Sequence, residues 1–363
     1  MTPDMYPLIP ADAHITADPP MIVLDGLELP VAPAEADRFR QLAAGLTGRV
    51  PLSAMALPEE DVTLLAQLWE HGALFDLRVS ADSVSTPHFC DYLYARISRW
   101  RTRKSPDRWP WRAVIARGEA TTRYLQGILT ENYHYVRAAA VRQSPLLSHA
   151  ASAVQFDLIR EFVTGEAGHE SYFLEALTRW GVPAPDVRAA VPLASTAGFI
   201  GLQYRLAHKS LLDYLAGSAV LEVDPEVYAL AGDPYQVWES IYGIRPEILA
   251  PVRQHIRDDV LGGHASLFRQ IALDTAPQTL TLVTALSVVA SARAVFDATR
   301  LWQRDMYEHY QLGGGSPARA ALYRALAGSL ATCLFLPRSP HVTSSSGGCG
   351  TLIRCSASRT PVL

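Results

Sequence analysis

From Trp111 to about Tyr310, apolar residues recur at helical spacing almost without interruption, and no alternating run competes for the segment. Periodic stretches lie near 112–142, 148–179, 195–222, 246–271 and 278–309. Short breaks separate them at Ser144-Pro145, Gly181-Val182-Pro183, Asp224-Pro225, Gly232-Asp233-Pro234 and Asp274-Thr275-Ala276-Pro277. Long helices joined by short loops bury their apolar stripes against one another. The spacing predicts a mainly α fold whose core is a helical bundle over residues 112–310.

The flanks differ in character. Residues 1–20 are Pro-rich and polar and are expected to be extended or disordered. Residues 21–80 mix strand and helix signals, which predicts a small separate α/β module. Met21-Ile22-Val23-Leu24 is a short strand and Asp25-Gly26 a turn. Residues 34–45 have helical spacing through Phe39, Leu42 and Ala43. Pro58-Glu59-Glu60-Asp61 opens a second helix, with acids at its positive end, that stops at Gly72. Ala73-Leu74-Phe75-Asp76-Leu77 closes the module as a strand. Residues 81–111 are expected to be a linker, and its basic run, Arg99-Trp100-Arg101-Thr102-Arg103-Lys104, a solvated helix end. Within 311–363, residues 318–336 are predicted as one more helix and the Ser/Gly/Pro-rich 337–363 as a disordered tail.

A chain of 363 residues buries a sizeable core, and a formal net charge of −4 leaves no footprint for nucleic acid. No apolar run reads as long enough to span a bilayer, and MTPDMYPLIP lacks the basic-then-apolar order of a secretory signal. The expectation is a soluble, cytoplasmic protein without a membrane partner. Cys90, Cys333, Cys349 and Cys355 form no close CxxC pair, so they are read as free thiols rather than a zinc site.

The predicted bundle places ionisable residues beside its apolar stripes. Glu131 lies mid-helix in Leu129-Thr130-Glu131-Asn132-Tyr133-His134. Glu166 and His169, at i,i+3, are expected on one helical face. Glu222 ends the apolar run Ala219-Val220-Leu221, and His255 and Asp259, at i,i+4, share a face of a later helix. Any one of these is explained by a surface position or an ion pair. Together they would be costly to bury without a cation to pair them. An oxygen- and nitrogen-rich set without thiolate suits iron or manganese. His134, three residues after Glu131, reads as a satisfied core histidine or a neighbour of a ligand. Arg137, Arg205 and Lys209 are candidate anchors for a substrate carboxylate, with solvated charge as the alternative.

On these residues the chain resembles the haem-oxygenase-like di-iron oxidases. The matching pieces are LTENYHYVR at 129–137, GEAGHESYFLEAL at 165–177, AVLE at 219–222 and HIRDD at 255–259. The resemblance implies a haem-oxygenase-like bundle holding two Fe(II) ions, with O2 as co-substrate. Its ligands would be Glu131 from the first core helix, Glu166 and His169 from the second, Glu222 from the next, and His255 and Asp259 from the last. The family often has a further His three residues after the Asp, where this chain has Gly262. On a regular helix His264 points away from that face, whereas a bulge at Gly262-Gly263 would turn it inward. Residues 21–80, in the order strand, helix, TGR, helix, HGALF, resemble the small winged-helix modules that bind leader peptides in ribosomal-peptide tailoring pathways. A structural or dimerising appendage is the alternative.

The implied function is an O2-dependent oxidase, oxygenase or desaturase of specialised metabolism, such as antibiotic biosynthesis. It would act on a small molecule by desaturating an aliphatic amino acid, with ring closure able to follow. An external electron donor and a homodimer are compatible with it. Three alternatives belong to other classes. One is a tailoring enzyme for a ribosomal peptide, or a peptide-binding protein with a decayed iron site. Another is a cofactor-free hydrolase like the thiamin-salvage enzymes, which needs a reactive Cys in the bundle. The last is a haem protein, against which the carboxylates argue.

Overall fold

The structure is a computed structural model, and it describes residues 1–10, 13–24, 27–102, 110–222, 233–275 and 278–315. The predicted helix at 318–336, the tail at 337–363, and Cys333, Cys349 and Cys355 lie outside the described residues.

The first eighty residues supply strands and two helices. β1 (Pro7–Leu8) is followed by an antiparallel meander, β2 (His14–Ala17), β3 (Pro20–Leu24) and β4 (Leu27–Pro30). Then come α1 (Pro33–Ala43), α2 (Glu59–Glu70) and β5 (Phe75–Asp76), which pairs antiparallel with β1. Residues 1–20 are therefore not simply extended. Met5 is buried, and the Asp76 carboxylate accepts the Tyr6 backbone N–H at 2.8 Å, which pins this segment to the end of the module.

The predicted linker is also structured. β6 (Ser83–Ser85) leads into α3 (Thr86–Thr102), a helix of 17 residues. Phe89, Cys90, Leu93, Ile97 and Trp100 fall on one face of α3 and are all buried. Interleaved arginines conceal that face in the sequence. The apolar core does not stop at the predicted module boundary. It runs from Ile22, Leu65 and Phe75 through Phe89 and Trp100 of α3 into the bundle.

The bundle comprises α4 (Pro110–Ala116), α5 (Thr122–Arg137), α6 (Ala139–Gln143), α7 (Ala153–Gly165), α8 (Glu170–Arg179), α9 (Ala184–Ala189), α10 (Ala194–Lys209) and α11 (Leu211–Ala219). After them come α12 (Gln236–Tyr242), α13 (Pro246–Leu261), α14 (Leu267–Thr275), β7 (Thr279–Thr281), which pairs antiparallel with β6, and α15 (Leu282–Met306). Side chains of Thr121, Ser152, Ser210 and Thr281 accept backbone N–H groups at the starts of α5, α7, α11 and α15. α11 packs along α15, and α8 packs against both α5 and α13. Val288, Ala292 and Val295 of α15 are fully buried at helical spacing. α15 continues into a π-helical turn, and the whole stretch Leu282–Leu312 is long and apolar enough by composition to cross a membrane, unlike any run singled out from the sequence.

Candidate metal centre

Two helix breaks and one helix face build the centre. α7 ends at Gly165, Glu166 caps it, and α8 begins after His169. The expected single helix with both side chains on one face is therefore interrupted. Gly168, at φ 91°, adopts a backbone conformation that a helix excludes and that glycine reaches without strain. The turn still brings the two groups together, with Glu166 Oε2 3.9 Å from His169 Nδ1.

His255 and Asp259 share one face of α13, as their spacing predicts, with His255 Nδ1 3.2 Å from Asp259 Oδ2. Asp259 Oδ1 lies 3.5 Å from His169 Nδ1, so α8 and α13 present one cluster. Beyond Leu261 the structure follows neither a regular helix nor a bulge inside one. α13 terminates, Gly263 takes a left-handed φ of 68°, and His264 begins a separate 3-10 turn. That step brings His264 inward. Its Nδ1 is 3.2 Å from Glu166 Oε1, 3.9 Å from Asp259 Oδ1 and 4.0 Å from Glu222 Oε2.

Glu222 follows the end of α11, and its Oε1 accepts the Ser218 hydroxyl at 3.3 Å. Its backbone is held from α3. The Arg101 guanidinium donates to the carbonyls of Ala219, Val220 and Glu222, satisfying the C-terminal carbonyls that a helix leaves unpaired. The basic run is thus not only solvated, because one of its arginines secures a candidate ligand.

Two ligand groups result. One contains Glu166, His169, His255 and Asp259, and the other Glu166, Glu222 and His264, with ligand atoms in each lying within 4.8 Å of one another. Glu166 belongs to both. It is buried, and the other five are partly buried. Burial alone would raise Glu166, but His264, Arg142 and His255 outweigh it and hold the carboxyl below the ordinary range. Burial, together with the Glu166 and Asp259 carboxylates, pushes Glu222 up to about 8. Burial opposes charge on His264, yet Glu166, Glu222 and Asp259 lift it to about 9. Asp259 raises His169, whereas burial lowers His255. His169 Nδ1, His255 Nε2, His264 Nδ1 and Asp259 Oδ1 are buried without a hydrogen-bond partner. Four orphaned polar atoms among crowded carboxylates and imidazoles fit a pair of hard-to-borderline cations.

Glu131 lies outside both groups. Its Oε2 accepts the Leu193 N–H at 3.0 Å and the Thr196 hydroxyl, and its Oε1 accepts the Tyr310 hydroxyl at 2.6 Å. Thr196 in turn accepts the Trp302 indole N–H. These donors satisfy the fully buried carboxylate, so Glu131 ties α5, α10 and the π-helical turn together rather than joining the cluster. The predicted substrate anchors also lie elsewhere. Arg137 and Arg205 are exposed, and Lys209 pairs with Asp213 at 3.0 Å. Long cationic side chains keep their heads in water unless a buried partner holds them. None of the three lines the cleft of about 310 Å³ that opens beside His169 and His264, between Gly165 and the Gly262-Gly263 pair.

Sequence reasoning missed Tyr172, whose hydroxyl donates to Asp258 Oδ2 at 2.6 Å and braces α8 against α13. The doubled Asp in HIRDD was its signal. Burial pushes the Cys90 thiol up to about 11 on α3, which makes it a poor nucleophile and gives the hydrolase alternative no support.

Among solved structures, the chain is similar to a domain of unknown function with a heme oxygenase-like fold from Shewanella denitrificans, at 20% identity and a TM-score of 0.52. The match covers 63% of this chain and 94% of that one. The fold is haem-oxygenase-like. A TenA homologue from Pseudomonas syringae is similar at 12% identity and a TM-score of 0.42, over 61% of this chain and 91% of that one. No protein-family model matches the sequence, and no curated protein does. Within the haem-oxygenase-like bundle, the cluster lies where α7, α8, α11 and α13 end or begin.

Proposed function

We propose that the protein is a non-haem di-iron oxidase that uses O2 to desaturate an aliphatic amino acid, a cytoplasmic enzyme drawing electrons from an external donor. The single observation that carries this reading is the pair of ligand groups sharing Glu166, with four buried polar atoms around it that make no hydrogen bond. His169, His255 and Asp259 would complete one position, and Glu222 and His264 the other. Iron held there would pass electrons to O2, the oxidant that breaks an unactivated C–H bond; with two electrons from the external donor and two protons, O2 would leave as water.

The chain's own residues hold and shape the centre. Tyr172 and Gln254 fix Asp258, so α8 and α13 keep their spacing beneath His169 and His255. Arg101 fixes the backbone of Glu222. Phe162 lies edge-on to the His264 ring at 5.0 Å, and Phe173 to His255 at 5.0 Å, screening both imidazoles from water. The second position has fewer ligands, which favours substoichiometric iron on purification.

The test is metal analysis of protein produced in iron-rich medium, followed by O2 consumption with aliphatic amino acids. Fewer than two irons per chain are expected on purification, two after anaerobic loading with ferrous iron, and then substrate-dependent O2 uptake. A chain that stays iron-free after anaerobic loading with ferrous iron sinks the reading.

A further inference from the structure

Arg142 and Gln143 of α6 and Gln203 of α10 are buried, with 4%, 1% and 3% of their surface exposed. Each has a polar atom with no hydrogen-bond partner among the described residues: Arg142 Nε, Gln143 Oε1 and Gln203 Nε2. Two tyrosines join the three. The Tyr135 hydroxyl donates to Gln203 Oε1 at 3.0 Å, and the Arg142 guanidinium lies over the Tyr135 ring, 4.0 Å from its centroid. Arg142 also donates to the Tyr135 carbonyl at 2.5 Å. Arg142 and Gln143 both bond the Tyr214 hydroxyl.

The group adjoins the candidate metal centre. Tyr214 packs on Phe162 with ring centroids 6.5 Å apart, and Phe162 packs on His264. Arg142 and Tyr214 sense the charge of Glu166, and Tyr135 that of Glu222.

No carboxylate among the described residues forms an ion pair with Arg142; its bonds go to a carbonyl and a phenol. A buried guanidinium that makes no ion pair in contact favours an anion placed against it. Gln203 Nε2 is a second free donor, and Gln143 Oε1 is an acceptor for a positive or neutral N–H. Two donors and one acceptor match the two ends of a zwitterion. We infer that this group binds a free α-amino acid, its carboxylate on Arg142 Nε and Gln203 Nε2 and its ammonium on Gln143 Oε1. The substrate's side chain then extends past Phe162 towards Glu166 and His264. That direction rests on the oxidase reading; the binding itself does not.

Calorimetric titration of the full chain under anaerobic conditions tests the site, with iron content measured on the same sample. The probes are L-valine, L-leucine and L-norleucine, each with its α-carboxamide and its deaminated acid. At least one amino acid binds saturably, and its carboxamide and deaminated acid bind about tenfold or more weakly. Arg142→Gln and Gln203→Met each weaken that binding about ten- to a hundredfold with helical content unchanged, and Gln203→Met leaves iron content unchanged as well. If Arg142→Gln does not fold, Gln203→Met and the ligand series decide. The site is overturned if none of the amino acids binds, if the carboxamide binds equally well, or if Gln203→Met has no effect. Amino-acid binding by a chain that never takes iron keeps this site and removes the oxidase reading. Two irons without amino-acid binding removes this site and the amino-acid substrate, and keeps the di-iron centre.

Discussion

Glu166 stands in both ligand groups, so losing its carboxylate reaches both metal positions. Glu166→Ala is expected to reduce iron after anaerobic loading to near zero, whereas His255→Ala and Glu222→Ala should each spare one iron. Metal analysis by mass spectrometry separates these outcomes. Retention of two irons by Glu166→Ala would refute the shared position. The charges around Glu166 also set a direction with pH. His264 lies at about 9 and Glu222 at about 8, so both carry protons at pH 7 and must release them to ligate a cation. Iron binding should therefore release protons and tighten as pH rises from about 6 to 9. Titration in two buffers of different protonation enthalpy reads that release. Flat affinity across the range contradicts it.

Among elements, α3 and the end of α13 matter most, and they differ in how legible they were. Sequence spacing was enough to place His255 and Asp259 on one face, because both lie inside an unbroken helix. It was not enough for Glu166 and His169, or for His264, because glycines at 165, 168, 262 and 263 end helices whose apolar periodicity continues on either side. Glu131 misled for the opposite reason. It sits mid-helix as expected, but its three donors come from residues 62 to 179 positions away. Arg101 of α3 caps the carbonyls before Glu222, so Arg101→Ala should lower loaded iron from two to about one without loss of helical content. Unchanged stoichiometry would make the cap irrelevant to the centre. The π-helical turn makes a similar link. A Cβ at Gly127 would stand 2.4 Å from the Tyr310 ring, so Gly127→Ala should push Tyr310 off Glu131 and cost about 1–3 kcal/mol. Thermal melting checks this, and an unaltered Tm would show that the ring yields freely.

At the scale of the whole molecule, the first eighty residues share their core with the bundle. Phe75 stacks edge-on against Tyr92 at 4.9 Å, and the Arg99 guanidinium lies over it at 4.2 Å. Phe75→Ala should therefore cost about 3–5 kcal/mol and lower a single melting transition for the entire chain. Scanning calorimetry tells this from the alternative, since two separated transitions would mean that the N-terminal elements melt alone. The strand at Pro20–Leu24, the two helices after it and the closing strand were legible from apolar spacing, whereas β1, β2 and β4 were not. The shared core was not, because it runs through α3, whose buried face alternates with Arg96, Arg99 and Arg101.

The left-handed step at Gly263 also bears on how kindred chains can be found. Four residues separate Asp259 from His264, where the di-iron oxidases that the sequence resembles often place two. A search written for the shorter interval passes over this chain, although its imidazole comes within 3.9 Å of Asp259. Where a glycine pair follows the aspartate, the interval should be allowed to stretch by two. Sequences passed over for lacking a histidine at the shorter interval then become candidates for the same cluster.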